Sequence, residues 1–432
     1  LRVYHPEQLE RLIREYAVKE VLLAIPSASQ QRRHEILSTL EHFPILVQTL
    51  PDISELEKCE VNLEDVRDID IGDLLDRDPV APIDELLHAN IAGKVVLVTG
   101  AGGSIGAELC RQISQLGARR LVLFDHSEFN LYRLVRELDE AGRSYVPVLG
   151  TVMDPDMVEH ICRAYGVDTI YHAAAYKHVP LVEENAAIGA ANNVLGTRAC
   201  ALAAMNSGVE TFVLISTDKA VRPTNVMGAS KRLAELVLQD MSRRKDIKTR
   251  FTMVRFGNVL DSSGSVVPLF RDQIGRGGPV TVTHPEIIRY FMTIREATQL
   301  VLQAGAMGQG GDVFVLDMGE PVKILGLAKK MVHLSGLSVR DEGNPGGDIE
   351  IQFTGLRAGE KLYEELLVMD SAVATRHELI MRETEVGSTL GGLATCLEKL
   401  ERAIRIRDND QVRTLLFDMV ESYNPAATEM AS

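Results

Sequence analysis

Lys94-Val-Val-Leu-Val-Thr-Gly-Ala-Gly-Gly-Ser-Ile-Gly106 sets an unbroken apolar run against a glycine turn, and a helical pattern continues through Glu108–Leu116. Four apolar residues without polar alternation, Val95–Val98, read as a strand buried on both faces. Gly100, Gly103 and Gly106 follow GxxGxxG spacing. The first glycine allows a tight turn, the second lets backbone N–H groups approach a pyrophosphate, and the third lets helix and strand pack closely. Ser104 and Ile105 open the helix whose first N–H groups have no intrahelical acceptor and can face that anion. Asp125 stands 19 residues beyond Gly106, at the end of the next apolar run. A carboxylate there accepts hydrogen bonds from adenosine ribose hydroxyls and repels a 2′-phosphate, so the expected cofactor is NAD.

Outward from this stretch, further short apolar runs alternate with helix-like segments: Leu121–Phe124, Tyr145–Leu149, Thr169–Tyr171, Thr211–Ile215, Thr252–Phe256 and Val313–Leu316. That alternation predicts an α/β fold with a doubly wound parallel sheet of Rossmann type. Asp154 follows the third run and suits either the adenine edge or a helix N-cap. Ala173 and Ala174 follow the fourth run and line the expected cofactor cleft, with Lys177 and His178 just beyond. The expected domain plan has a partial N-terminal α/β unit over 1–62 and an acidic linker over 63–90, carrying Asp68, Asp70, Asp73, Asp76 and Asp78. A Rossmann domain over 91–258 follows, then a mainly substrate-binding region over 259–375 from which one strand returns near 313–318. A helical tail over 376–432 completes the plan.

The chain has 432 residues, with 46 Lys and Arg against 61 Asp and Glu for a net charge of −15. An acidic surface of this kind offers no general counter-charge to nucleic acid or an anionic membrane. The five cysteines, Cys59, Cys110, Cys162, Cys200 and Cys396, are widely spaced and form no CxxC pair. Neither a disulfide framework nor a zinc site is expected, and a reducing compartment fits. No ligand-spaced His, Asp and Glu cluster suggests a metal. No apolar run is long enough to span a bilayer. The first residue is Leu1 rather than Met, as expected of a fragment of a longer protein.

His172-Ala-Ala-Ala175, Asn193-Val-Leu-Gly-Thr197, Ser216-Thr-Asp-Lys219 and Met227-Gly-Ala-Ser-Lys231 together resemble the extended short-chain dehydrogenase/reductase superfamily. In that superfamily a Tyr and a Lys lie one helical turn apart and point at the nicotinamide. Met227 occupies the Tyr position here. Thr217-Asp218-Lys219 resembles the Thr-Asp-Glu triad of nucleotide-sugar 4,6-dehydratases. With Arg222-Pro-Thr-Asn225, Arg255-Phe-Gly-Asn258 and Thr354-Gly-Leu-Arg357-Ala-Gly-Glu-Lys361, the chain is similar over about residues 90–370 to the bacterial UDP-N-acetylglucosamine 4,6-dehydratases of O-antigen, capsule and protein-glycan biosynthesis. The similarity is to their large membrane-anchored subgroup, where Met replaces the Tyr.

The resemblance implies NAD, a UDP-sugar substrate and retention at carbon 5. Thr217 would hold the 4-hydroxyl, Asp218 would be the acid at the 6-hydroxyl, and Lys219 the base at carbon 5. Lys231 would hold the nicotinamide ribose and, with NAD+ and desolvation, lower the basicity of Lys219. The 4-hydroxyl proton would leave through an ordered water beside Met227. Arg357, Arg289, Lys177 and Asn258 are the candidates for the diphosphate, while Arg222 and Arg255 suit either the surface or fold bracing. The family implies a homodimer or higher homo-oligomer, built from paired helices at the sheet edge, held at the cytoplasmic side of the bacterial inner membrane by a segment outside this chain. Competing readings are an inverting dehydratase, a nucleotide-sugar 4-epimerase and a non-catalytic NAD-binding scaffold.

Overall fold

In a computed structural model, the structure describes residues 2–25, 27–50, 67–69, 71–74, 77, 80–365, 372–383 and 392–425. They form two compact units. The larger comprises Val80–Ser263, Met292–Met318 and Leu356–Ser432, and the smaller comprises Leu1–Pro79, Gly264–Phe291 and Gly319–Gly355. The division runs differently from the expected plan. Residues 80–90, expected in the linker, belong to the larger unit, and the segment expected to form one substrate-binding region is shared between both.

The larger unit is built on a nine-stranded sheet. Its strands are β1 (Val95–Thr99), β2 (Arg120–Asp125), β3 (Val146–Leu149), β4 (Thr169–His172), β5 (Thr211–Ile215), β6 (Arg250–Arg255), β7 (Asp312–Leu316), β8 (Ala372–Ala374) and β9 (Ile380–Glu383). The order across the sheet is β3-β2-β1-β4-β5-β6-β7-β9-β8. The first seven are parallel, each anticipated by an apolar run, and all five residues of β1 are buried. Antiparallel β9 and β8 then close the edge. Strand β9 falls within the segment 376–432 expected to be a helical tail, and β8 lies just before it. Strand order reverses between β1 and β4, and the crevice above their C-terminal ends is where ligands bind in such sheets.

Helix Val226–Ser242 is buried over most of its length. Leu397 and Leu400 of helix Leu393–Arg405, with Leu416 and Met419 of helix Asn409–Met419, share its apolar core. The chain's own C-terminal helices therefore cover this helix. In the smaller unit, parallel strands Glu20–Leu23 and Leu46–Thr49 flank helix Gln30–Leu40, giving the βαβ unit read from the N-terminal sequence. The short strand Arg67–Asp68 pairs antiparallel with Leu46–Thr49. Asp73 of the acidic stretch pairs with Arg33 at 3.2 Å, whereas Asp70, Asp76 and Asp78 lie outside the described residues. Cys110, Cys162, Cys200 and Cys396 are free thiols, and Cys59 lies outside the described residues. Among the described residues no helix is long and apolar enough to cross a membrane, and no acidic, His or Cys cluster could hold a metal ion.

One ionic network ties β5, β6 and β9 to helix Val226–Ser242. Arg255, at the end of β6 and 1% exposed, donates through Nε and Nη2 to the two carboxylate oxygens of Glu235 at 2.9 and 2.6 Å. Its Nη1 donates to Glu383 of β9 at 2.5 Å. Ser216, just after β5, donates to Glu235 at 2.6 Å, and Arg232 lies 3.2 Å away. Arg255 is therefore a fold-bracing residue. Burial alone would raise the Glu235 pKa, but the Arg255 charge and its hydrogen bonds, aided by Arg232 and Ser216, win and lower it to about 2.

A carboxylate depressed in the folded state stabilises the fold above its unfolded pKa, and loses that contribution as pH falls through the folded value. Glu235→Gln should lower unfolding stability by about 3 kcal/mol at pH 7, because it leaves Arg255 without half of its counter-charge. In urea titrations the gap between variant and native protein should shrink as pH falls from about 4 to about 2. A gap independent of pH would mean the network contributes by shape rather than charge.

Candidate active site

The glycine turn after β1 is built by close approaches. Gly100 adopts φ +66°, and a Cβ there would lie 2.7 Å from the backbone N of Ala174. At Gly106 a Cβ would stand 2.0 Å from the Gly100 carbonyl oxygen. No side chain fits at either position without moving backbone. Gly103 is more tolerant, its nearest neighbour being 3.3 Å away. Gly102 was missed as a constrained position: a Cβ there would meet the Asn130 Cβ at 2.5 Å. Helix Ser104–Ile113 begins directly above the turn, and the Ser104 hydroxyl accepts from Ser263 N at 3.0 Å. Asp125, 5% exposed, braces the turn, accepting from Gly102 N and Ser127 N at 2.8 Å each. Each carboxylate oxygen keeps a second lone pair for a ribose hydroxyl. A floor of bare backbone, a helix start and a half-satisfied carboxylate fit the pyrophosphate and ribose of a dinucleotide. Asp154 caps helix Pro155–Tyr165 by accepting from Met157 N at 3.0 Å.

Across the crevice, Ala173 and Ala174 leave the end of β4 against Gly100, and the segment beyond is pinned by Asn193. The Asn193 side chain accepts from Tyr176 N at 2.8 Å and donates to Tyr176 O and to Ser230 Oγ, each at 3.0 Å. This holds Lys177 in register with helix Val226–Ser242. Asn193 lies in a π-helical turn, Ala191–Gly196, a distortion frequent at functional sites. Its signal in the sequence was the Asn193-Val-Leu-Gly segment, which gave no role to the amide. His172 is fully buried between Thr99 Oγ1 at 2.8 Å and Thr197 Oγ1 at 3.1 Å. The Thr197 hydroxyl spends its proton on Asn193 O at 2.7 Å, so the imidazole carries its proton on Nε2 and accepts from Thr99 at Nδ1.

Beyond β5 the chain turns into the short helix Asp218–Ala220, capped by Thr217. Thr217 Oγ1 donates to Asp218 Oδ1 at 2.9 Å. Lys219 Nζ donates to Asp218 Oδ1 at 3.0 Å and Asn258 Oδ1 at 3.2 Å, and lies 3.6 Å from Glu364 Oε1. Asp218 is 2% exposed, and its Oδ2 is buried with no hydrogen-bond partner among the described residues. Gly228 permits this packing, since a Cβ there would stand 2.2 Å from the Lys219 carbonyl oxygen. Met227 and Lys231 are buried one turn apart on helix Val226–Ser242. Lys231 Nζ donates to Ile215 O at 2.6 Å, and burial lowers its pKa to about 8 against the opposing pull of Glu235.

The structure gathers Thr217, Asp218, Lys219, Asn258, Met227 and Lys231 above β5 and β6. Asn258 turns its oxygen to Lys219, which the expected phosphate role did not foresee. Lys177 is solvent-exposed, yet desolvation of its ammonium and then the Lys219 charge lower its pKa. Arg357 is exposed, with its backbone N donating to Glu360 at 3.2 Å. Its loop docks on the start of helix Val226–Ser242: Thr224 and Asn225 donate to Gly359 O at 3.2 and 3.0 Å, and Lys361 donates to Val221 O at 3.3 Å. Arg289 belongs to the smaller unit, where its guanidinium donates to Ile288 O at 2.7 Å. Glu364 escaped the sequence reading, lying outside the quoted motifs.

Residues 96–385 match the family model described as polysaccharide biosynthesis protein. The chain is 46% identical over 364 residues to the capsular polysaccharide biosynthesis protein CapD of Staphylococcus aureus, across 84% of this chain and 59% of that one. It thus spans about three-fifths of that relative. Among solved structures, Pen from Bacillus thuringiensis superposes with a TM-score of 0.63 at 30% identity, over 69% of this chain and 91% of Pen. DesIV, a dTDP-glucose 4,6-dehydratase from Streptomyces venezuelae, has a TM-score of 0.55 at 22% identity, over 63% and 88%, and shares the fold.

Burial, with a smaller contribution from Lys231, lowers the His172 pKa to about 3. Its imidazole should therefore stay neutral, protonated on Nε2, between pH 8 and pH 5 in nitrogen-15 NMR spectra. A His172 resonance titrating near 6.5 would contradict the buried threonine clamp.

Proposed function

We propose that the chain, which belongs to the polysaccharide biosynthesis protein family, catalyses NAD-dependent 4,6-dehydration of UDP-N-acetylglucosamine to the UDP-4-keto-6-deoxy sugar with retention at carbon 5. The observation that carries this reading is the buried Lys219–Asp218 pair, 3.0 Å apart, beside the sheet crevice that holds the dinucleotide cradle. Dehydration needs both a base and an acid within reach of adjacent carbons, and a simple 4-epimerase needs no such pair. The full-length protein would sit at the cytoplasmic face of the membrane and serve capsule, O-antigen or glycan assembly.

NAD supplies the redox chemistry when bound, accepting hydride from carbon 4 and returning it at carbon 6. Gly100, Gly103, Ser104, Ile105 and Gly106 present backbone to its pyrophosphate, and Asp125 receives the adenosine ribose. Lys231, fixed on Ile215 O, holds the nicotinamide ribose. Lys177 and Arg357 neutralise the substrate diphosphate. Thr217 orients the 4-hydroxyl. With no phenol at Met227, the orphaned Asp218 Oδ2 is the buried acceptor best placed for that hydroxyl, and a donor there would relieve about 1–3 kcal/mol of unsatisfied burial.

Lys219 Nζ donates to two oxygens, Asp218 Oδ1 and Asn258 Oδ1, and has the Glu364 carboxylate in ion-pair range at 3.6 Å, a setting that suits an ammonium. At rest the pair is therefore Lys219-NH3+ with Asp218 carboxylate. A proton moving along the 3.0 Å bond to Asp218 Oδ1 leaves an amine and a carboxylic acid. Lys219 then takes the proton from carbon 5, which the carbon-4 ketone has acidified. Asp218 gives its proton to the 6-hydroxyl as that group leaves as water. When hydride is returned at carbon 6, Lys219 gives a proton back to carbon 5. The proton that left the 4-hydroxyl at the oxidation step, exchanged through solvent, restores the Lys219 ammonium, so both side chains end the turnover at their starting charge. This route replaces the expectation that Lys231 tunes Lys219.

In D2O with NAD and UDP-N-acetylglucosamine, the native protein should place deuterium at carbon 5 of the product. Lys219→Met should abolish that incorporation and slow turnover by about a hundredfold or more, while NAD affinity by calorimetry stays within about two-fold. Retained incorporation in Lys219→Met would assign the base elsewhere.

A further inference from the structure

Glu364 is the third member of the Lys219 cage and comes from a different part of the chain. Its carboxylate lies 3.6 Å from Lys219 Nζ, and its side chain is 4% exposed. It follows the loop that docks through Gly359 and Lys361 onto Thr224, Asn225 and Val221, so the Arg357 loop and the Lys219 counter-charge are set by one segment. Charged groups face Lys219 from three elements: Asp218 on its own turn, Glu364 on this segment, and Lys177 on the loop after β4. Two anions and two cations share one region, and of the two anions only Asp218 has an assigned proton to carry.

We propose that Glu364 is a positioning residue for Lys219, fixing Nζ and setting the pH at which Lys219 can accept the carbon-5 proton. The proposal rests on the reading of Lys219 as the base. Asp218 changes charge during turnover, so it cannot supply a constant field. The Glu364 carboxylate stands in ion-pair range of Lys219 Nζ at 3.6 Å while the proton passes between Lys219 and Asp218, and Asn258 Oδ1 keeps its hydrogen bond to Nζ. Removing its charge while keeping its shape destabilises the ammonium and makes Lys219 available as a base at lower pH.

The test is the pH dependence of turnover and of carbon-5 deuterium incorporation in native protein, Glu364→Gln and Glu364→Asp, with melting temperatures confirming that each variant folds. Glu364→Gln should move the alkaline-rising limb by about 1 pH unit toward acid and lower the plateau rate by about 10-fold. Glu364→Asp, which keeps the charge, should leave the limb in place. A Glu364→Gln limb at the native position, with only KM raised, would make Glu364 a loop brace and overturn the proposal. Absence of carbon-5 incorporation in the native protein would instead overturn the dehydratase reading itself. If Glu364→Gln does not fold, a displaced Glu364→Asp limb would contradict the charge role.

Discussion

Everything placed above the sheet depends on one buried guanidinium. Arg255 is bidentate to Glu235 on helix Val226–Ser242 and reaches Glu383 on the antiparallel edge, so one side chain joins β6, the helix and β9. Such a pair is costly to desolvate and is retained only where geometry satisfies both partners. Here the geometry reaches further, because Glu235 also receives the Ser216 hydroxyl at the mouth of β5. Lys231 lies one helical turn before Glu235 and Met227 one turn before that. The network thereby fixes the registers of Thr217, Asp218 and Lys219 against Lys231. Proton transfer over one hydrogen bond tolerates little slack, and a rigid ionic joint beneath the site limits it.

The seven parallel strands were legible because each is a short run of apolar residues buried on both faces, a pattern that survives without tertiary knowledge. The glycine turn was legible for a similar reason: only residues without Cβ fit at Gly100 and Gly106. The antiparallel edge was not. Ala372–Ala374 and Ile380–Glu383 are short, the second carries Arg382 and Glu383, and they gain strand character only by pairing, β9 with β7 and β8 with β9. Arg255 was left between surface and bracing roles because its partners are 20 and 128 residues away in sequence.

The site itself was half legible. The resemblance to the dehydratase motifs pointed to the Thr217-Asp218-Lys219 turn and Lys231, but not to the charges around them. The expected neighbour of Lys219 was Lys231, whose ammonium is engaged with the Ile215 carbonyl. The structure instead surrounds Lys219 with Asp218, Asn258 and Glu364, and no local pattern in the sequence connects these. Asn193 escaped for the same reason, since its amide acts on Tyr176 and Ser230 across the fold. The net charge of −15 gains a local meaning here: Lys177, Lys219, Lys231 and Arg357 stand near the cleft in an otherwise acidic protein, where the proposed anionic substrate would meet them.

The central claim is that the Lys219–Asp218 pair, working above a dinucleotide cradle, removes water from a UDP-sugar. Mass spectrometry of UDP-N-acetylglucosamine incubated with the protein and NAD tests it most directly. The account predicts a product lighter by one water, formed without net accumulation of NADH. A product of unchanged mass, or no conversion at all, would contradict it, the first pointing to epimerisation and the second to a chain that binds NAD without catalysing this reaction.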